Sequence, residues 1–132
     1  MKHTPHELLA AARAVAENAY APYSHFRVGA VAVGDDGRLY PGVNVENAAY
    51  PSGVCAEASA ISAAATAGVR KIDAVAVACI DAAREDQNYP CGQCRQRLNE
   101  FRVETVIVAG PGGEPRIHPF GELLPFGFRL DE

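Results

Sequence analysis

The sequence has no apolar stretch approaching the 20 or so residues a bilayer span demands. Its most alanine-rich region, residues 56–67, is interrupted by Glu57, Ser59 and Ser62. The first seven residues, M-K-H-T-P-H-E, carry no apolar signal core, so a cytoplasmic location is expected. There is no low-complexity tract, internal repeat or linker. Nor is there a basic stripe: 12 Lys and Arg against 16 Asp and Glu leave a formal charge of -4, and the cations are scattered singly or in pairs. That argues against a nucleic-acid polymer and for a small neutral ligand. Cysteine is sparse, with four residues in the chain. In a reducing compartment such thiols read as metal ligands or core and not as disulfides.

What is present is a chain of 132 residues, 48% hydrophobic, enough for one globular domain spanning 1–132. Thr4-Pro5-His6-Glu7 reads as a capping box with proline at the first helical position. Leu8, Ala12, Val15 and Ala19 then mark one face of a helix ending near Tyr20. Residues 26–33 are strand-like, and Asp35-Asp36-Gly37 turns the chain into a second strand at 39–45. A helix follows from Ala56 to a C-terminal Gly68, then strands at 74–80 and 104–109 separated by a polar loop at 81–87 and a helix with Pro90 at its first position, running through Leu98 to Phe101. Pro111-Gly112-Gly113 is a turn, 116–118 a last strand and 121–124 a short terminal helix. The expected fold is α/β: a three-layer α/β/α sandwich around a mixed sheet.

Two segments carry chemistry, C-A-E at 55–57 and P-C-G-Q-C at 90–94. A structural zinc takes four protein ligands, and the only other cysteine, Cys79, lies in the apolar run A-V-A-V-A-C-I, where it reads as a buried hydrophobe. Cys55, Cys91 and Cys94 thus leave the fourth position of a zinc open for water, whose pKa falls from ~15.7 toward ~7 at such a site. Glu57, which ligates nothing in this reading, is the natural proton shuttle. Both segments open helices, where the positive end of the dipole favours thiolates. Two residues along a helix is about 160° of rotation, so Glu57 points off the face of Cys55. Separately, a C-x-x-C and a first-turn glutamate are modest signals. Together, C-x-E followed by P-C-x-x-C is the three-cysteine form of the zinc deaminase signature.

On these residues the chain resembles the small, homotetrameric, zinc-dependent cytidine deaminases. The likeness runs from Tyr20 to Phe128 and includes A-P-Y-S-H-F-R-V-G-A at 21–30, G-V-N-V-E-N-A-A-Y at 42–50, C-A-E, P-C-G-Q-C-R-Q and L-L-P-F-G-F at 123–128. The resemblance implies hydrolysis of cytidine and 2′-deoxycytidine to the uridine products with release of ammonia, in pyrimidine salvage. It implies one Zn2+ per chain on Cys55, Cys91 and Cys94, with Glu57 as the catalytic proton carrier. It places Asn44 and Glu46 on a ribose hydroxyl and Phe26 against the nucleoside, and counts Ala56 among the substrate contacts. Tyr50 and Phe128 match positions through which neighbouring subunits close one another's sites, Phe128 stacking on the pyrimidine. The alanines at 60, 63, 64 and 67 are compatible with a tetramer core.

Two positions depart from the resembled pattern. Many members carry arginine after C-A-E, whose guanidinium donates to the zinc thiolates; here the residue is Ala58. Either the helix dipoles suffice or another donor substitutes, and Arg95 beside Cys94 is a candidate. Tyr89 stands where serine is usual. The competing readings are a deaminase of a modified cytosine nucleoside such as blasticidin S, and a noncatalytic zinc-stabilised interaction module with a closed fourth position.

Overall fold

In the computed structural model, which describes residues 2–130, the first helix begins as its capping box dictates. Thr4 Oγ1 accepts from Glu7 N–H at 3.1 Å, while Glu7 Oε1 accepts from Thr4 N–H at 2.8 Å. This helix, α1 (Pro5–Ala16), buries Leu8, Leu9, Ala12 and Ala16. It stops at Ala16 and does not continue to Tyr20. The N–H groups of Asn18 and Ala19 turn back to Val15 O and Ala16 O, and Tyr20 is drawn into a bridge with Val45, donating to Asn44 O at 3.0 Å. Val15 and Ala19, expected on the apolar face, are accordingly only half-buried.

Five strands follow: β1 (Val28–Gly34), β2 (Leu39–Val43), β3 (Ile72–Cys79), β4 (Thr105–Ala109) and β5 (Pro115–Pro119). Helix α2 (Ala56–Thr66) joins β2 to β3, and α3 (Gly92–Glu100) joins β3 to β4. The sheet order is β2-β1-β3-β4-β5, with β3 and β4 parallel and every other pairing antiparallel. The parallel pair is the one connected through a helix, as a crossover requires.

β3 is apolar at almost every position because helices cover both of its faces. Ala74, Ala76 and Ala78 lie with Leu8, Leu9 and Ala12 of α1 on one side. Val75 and Val77 lie with Ala60 and Ile61 of α2 and Leu98 of α3 on the other. Leu8, Leu9 and Leu98 are fully buried, each worth roughly 1.5–3 kcal/mol of apolar transfer. The mixed three-layer α/β/α arrangement is thus the expected one.

The helices seat on the sheet where side chains vanish. A Cβ on Gly29 would lie 2.0 Å from the Ala12 carbonyl oxygen of α1, and one on Gly42 would lie 2.3 Å from Ala60 N and 2.7 Å from Ala56 O of α2. Ser59 Oγ adds a tie, donating to Val43 O at 2.8 Å. Ala56, Ala60 and Ala64 are therefore consumed inside the chain, against the sheet; Ala63 is half-buried and Ala67 exposed.

Strand boundaries shift from the expected ones for local reasons. β1 starts at Val28 and not at Phe26, because Phe26 N–H donates to Ser24 Oγ and its carbonyl accepts from Asn44 Nδ2. β2 ends at Val43; beyond it Val45 makes only isolated bridges to Tyr20 and Val54. The loop at 81–87 contains a single 3-10 turn, Glu85–Asn88, and the expected terminal helix at 121–124 is another, Phe120–Glu122. Pro90 precedes the cap of α3 instead of occupying its first turn.

Candidate active site

Cys55 is the N-cap of α2 and Cys91 the N-cap of α3, both with extended backbone; Cys94 is the third residue of α3. Their three sulfur atoms lie within 4.8 Å of one another. Cys94 is fully buried, Cys55 half-buried and Cys91 exposed. Cys79 stays apart, buried at the end of β3 with its N–H donating to Asn88 Oδ1 at 2.9 Å.

Cys55 and Cys94 perturb one another. A hydrogen bond from Cys94 pulls the Cys55 thiol down to about 6, while Cys94 is pushed far up, first by Cys55, then by burial and by the charge of Glu57. Three such sulfurs ionise together only against a cation, and the donor set, all soft sulfur at two helix N-termini, suits zinc. The residues present fit the metal.

Glu57, in the first turn of α2, is 5% exposed. Burial raises its carboxyl to about 7; its own backbone N–H and Arg97 oppose the rise, and the neighbouring Cys55 adds to it. Glu57 shares a cleft wall with Cys55 and Cys91 and is not a member of the sulfur cluster.

Beside Cys55 and Cys91 opens a cleft of about 190 Å³ whose wall includes Phe26, Asn44, Cys55, Ala56, Glu57 and Cys91 together with Asn88 and Tyr89. The volume is below the 300 Å³ or so at which small-molecule pockets usually begin. Phe26 is 38% exposed, an edge of the cleft and not core. Asn44 is held at both ends of its amide, Oδ1 accepting from Val28 N–H and Nδ2 donating to Phe26 O, each at 2.8 Å. Glu46 Oε1 accepts from the N–H groups of Tyr23 and Ser24 at 3.0 Å, and Oε2 from Ser24 Oγ. The Ser24 contacts hold its carboxyl below the ordinary glutamate range. Both residues thus shape the 20–28 segment that forms the cleft rim, in addition to any role toward a sugar.

Tyr50 lines an adjoining hollow with Tyr23, Ser24, Glu46 and Asn47, its ring edge-on to Tyr23 at 5.9 Å. Phe128 is not on the wall of this chain's cleft. Its carbonyl is pinned to α3 by Gln96 Nε2 at 2.9 Å and Asn99 Nδ2 at 3.0 Å, and its ring is exposed.

Three features escaped the sequence reading. Arg95 does not serve the sulfurs: its guanidinium donates to Pro90 O and Leu123 O, both at 2.9 Å. The donor is Arg97, whose Nη1 lies 3.4 Å from Cys94 Sγ. The spacing of three along a helix was the available signal, since such residues share a face. Asn88, buried beneath the cleft, ties the end of β3 to the segment leading to Cys91. Tyr89 Oη is hydrogen-bonded to His118 Nε2 of β5 at 2.7 Å, which fixes the ring that replaces the small residue of the resembled pattern.

The family model described as "Cytidine and deoxycytidylate deaminase zinc-binding region" matches residues 2–110. The cytidine deaminase of Sporosarcina psychrophila is 44% identical over 128 residues, 96% of this chain and 92% of that one. That of Mycobacterium tuberculosis is 40% identical over 117 residues, 89% and 84% respectively. The crystal structure of cytidine deaminase from Burkholderia pseudomallei superposes with a TM-score of 0.84 at 42% identity, covering 96% of this chain and all of the other.

Proposed function

From the premise that the chain belongs to the cytidine and deoxycytidylate deaminase family, we propose that it hydrolyses cytidine and 2′-deoxycytidine to the corresponding uridines and ammonia, in pyrimidine salvage. The observation that carries this reading is the buried Glu57 carboxyl lining one cleft with Cys55 and Cys91, two of the three clustered thiols. Cys55, Cys91 and Cys94 are the residues that hold Zn2+. When bound, zinc supplies a Lewis acid that lowers the pKa of water.

Hydrolysis adds the oxygen of water to C4 of the ring and expels N4 as ammonia. Water supplies both protons that are needed: the first goes to N3 as C4 becomes tetrahedral and stays there in the uridine, and the second, released by the new C4 hydroxyl as it becomes the carbonyl, goes to the departing nitrogen, because an amide ion does not leave. Glu57 is the carrier in both transfers. Its burial keeps bulk water from competing for the proton, and its nearness to the sulfur cluster puts its oxygens beside the reacting atoms. Phe26 and Ala56 form apolar walls for the base; Asn44, on the cleft wall, and Glu46, which lines the adjoining hollow, are the groups for the sugar hydroxyls.

A cleft of about 190 Å³ is short of what a nucleoside fills, and several aromatic and apolar side chains stand in solvent: Tyr50 75%, Phe126 fully, Phe128 66% and Leu130 90% exposed. These features support a homotetramer in which Phe128 of one subunit stacks on the base in another and Tyr50 lies at the shared edge. Among the described residues no helix is long and apolar enough to cross a membrane. The free cysteines suit the reducing cytoplasm as the place of action.

The test is zinc content per chain together with loss of cytidine absorbance and ammonia release, run beside deoxycytidine, free cytosine and blasticidin S. Activity on cytidine and deoxycytidine alone is expected. A zinc-loaded protein inert toward all four would overturn the reading.

A further inference from the structure

Three thiolates around a divalent zinc leave a net charge of -1, and such a centre needs compensating donors where water does not reach. The three sulfurs differ in this respect. Cys91 is exposed and solvent serves it; Cys55 is half-buried; Cys94 is fully buried and water does not serve it. The side chain directly after C-A-E, Ala58, is a buried methyl with nothing to donate. Arg95, next to Cys94 in sequence, spends its guanidinium on the carbonyls of Pro90 and Leu123.

Arg97 lies one helical turn beyond Cys94, and its Nη1 reaches that sulfur at 3.4 Å, within range of an N–H···S hydrogen bond. Its positive charge also bears on Cys55 and Glu57. We infer that Arg97 is a positioning residue for the metal centre, compensating from α3 the thiolate charge that no residue of α2 offsets, and serving the one sulfur that solvent does not. The inference rests on the assignment of Cys55, Cys91 and Cys94 as zinc ligands. It adds where the charge is balanced, and it predicts that the metal's affinity and electronic character depend on Arg97.

A hydrogen bond donated to a thiolate withdraws electron density from it, so the sulfur gives less to the metal. Losing that donor makes Cys94 a stronger electron donor in a less neutral centre. Contacts of this kind typically change metal affinity about 10–100-fold when removed.

The experiment measures zinc retention against a graded chelator in the full-length protein and in Arg97→Ala, Arg97→Lys and Arg97→Gln, together with the sulfur-to-metal charge-transfer bands of the cobalt(II) forms. Arg97→Ala is expected to lose zinc at about 10-fold lower chelator concentration or less, and its cobalt band to move to longer wavelength. Arg97→Lys, which keeps the charge, is expected to hold zinc more tightly than Arg97→Gln, which keeps a donor without charge. Zinc retention and cobalt spectra equal to wild type in all three variants would overturn the inference, as would Gln outperforming Lys. Failure of the underlying assignment shows itself separately: the unmodified protein would then bind no zinc and release no ammonia from cytidine.

Discussion

Replacing Gly42 by alanine tests how the sheet positions the catalytic helix. The added methyl would stand 2.3 Å from Ala60 N, 2.7 Å from Ala56 O and 2.8 Å from the Ser59 carbonyl carbon. All three are backbone atoms of α2, so no side-chain rotation relieves the overlap. Carbon contacts settle near 3.5 Å, so helix and strand must part by about 1 Å. Overpacking of this kind costs about 1–3 kcal/mol, which for a domain of this size lowers Tm by roughly 4 °C per kcal/mol. The functional cost is of the same order as the stability cost. Ala56 lies between Cys55 and Glu57, so displacing its carbonyl moves the proposed metal ligand and the proposed proton carrier together, away from Cys91 and Cys94 on α3. A misplacement of about 1 Å at a reacting centre costs up to 100-fold in rate. Thermal unfolding and steady-state deamination of the zinc-loaded variant measure the two effects. A variant with unchanged Tm and unchanged kcat would refute the argument that the glycine sets the seat of α2.

Glu57→Gln is expected to retain one zinc per chain while losing about 100- to 10,000-fold in kcat, since the amide is close to isosteric but carries no proton from the attacking water to N3 or to the leaving nitrogen; metal analysis beside turnover checks both halves. Phe128→Ala should leave the zinc content intact, raise KM and weaken subunit association, read by kinetics and sedimentation; an unchanged KM would remove Phe128 from the site. The Arg27 guanidinium and backbone N–H, all at 2.9 Å, hold the Asp81 carboxyl down to about 2. A depressed carboxyl contributes stability that is complete above its unfolded value, near 4, and is lost as pH falls through about 2. The gap in urea midpoint between wild type and Asp81→Asn should therefore be constant from pH 7 to about 5 and close below about 4; a gap that widens on acidification contradicts the pairing.

Much of the centre was legible in the chain because its chemistry is local. The C-A-E and P-C-G-Q-C segments each open a helix, and helix entry is written in short-range signals of caps, glycine breaks and apolar period. The capping box at Thr4 and Glu7 and the apolar strand holding Cys79 were visible for the same reason. Element ends were less so: α1 stops at Ala16 because Tyr20 is claimed by the main chain at Asn44 and Glu46, a partner 24 or more residues away that no local window contains. Pro90 looked like a first-turn residue on composition, yet the cap passed to Cys91, whose extended backbone turns its sulfur toward the cluster.

The order of the residues thus determined the proposed ligand set, the glutamate set apart from it and the succession of helices and strands, since each is written in periods and spacings along the chain. Which groups meet was decided only by tertiary packing. Folding gave Cys94 to Arg97 and sent Arg95, its neighbour in sequence, to two carbonyls, because a helix face and not adjacency along the chain sets what a side chain reaches. It buried Glu57, bound Asn44 and Glu46 into the rim, and left Phe128 outside its own chain's cleft. These outcomes follow from the close approach of α2 and α3 over one face of the sheet, a long-range geometry that no single segment encodes.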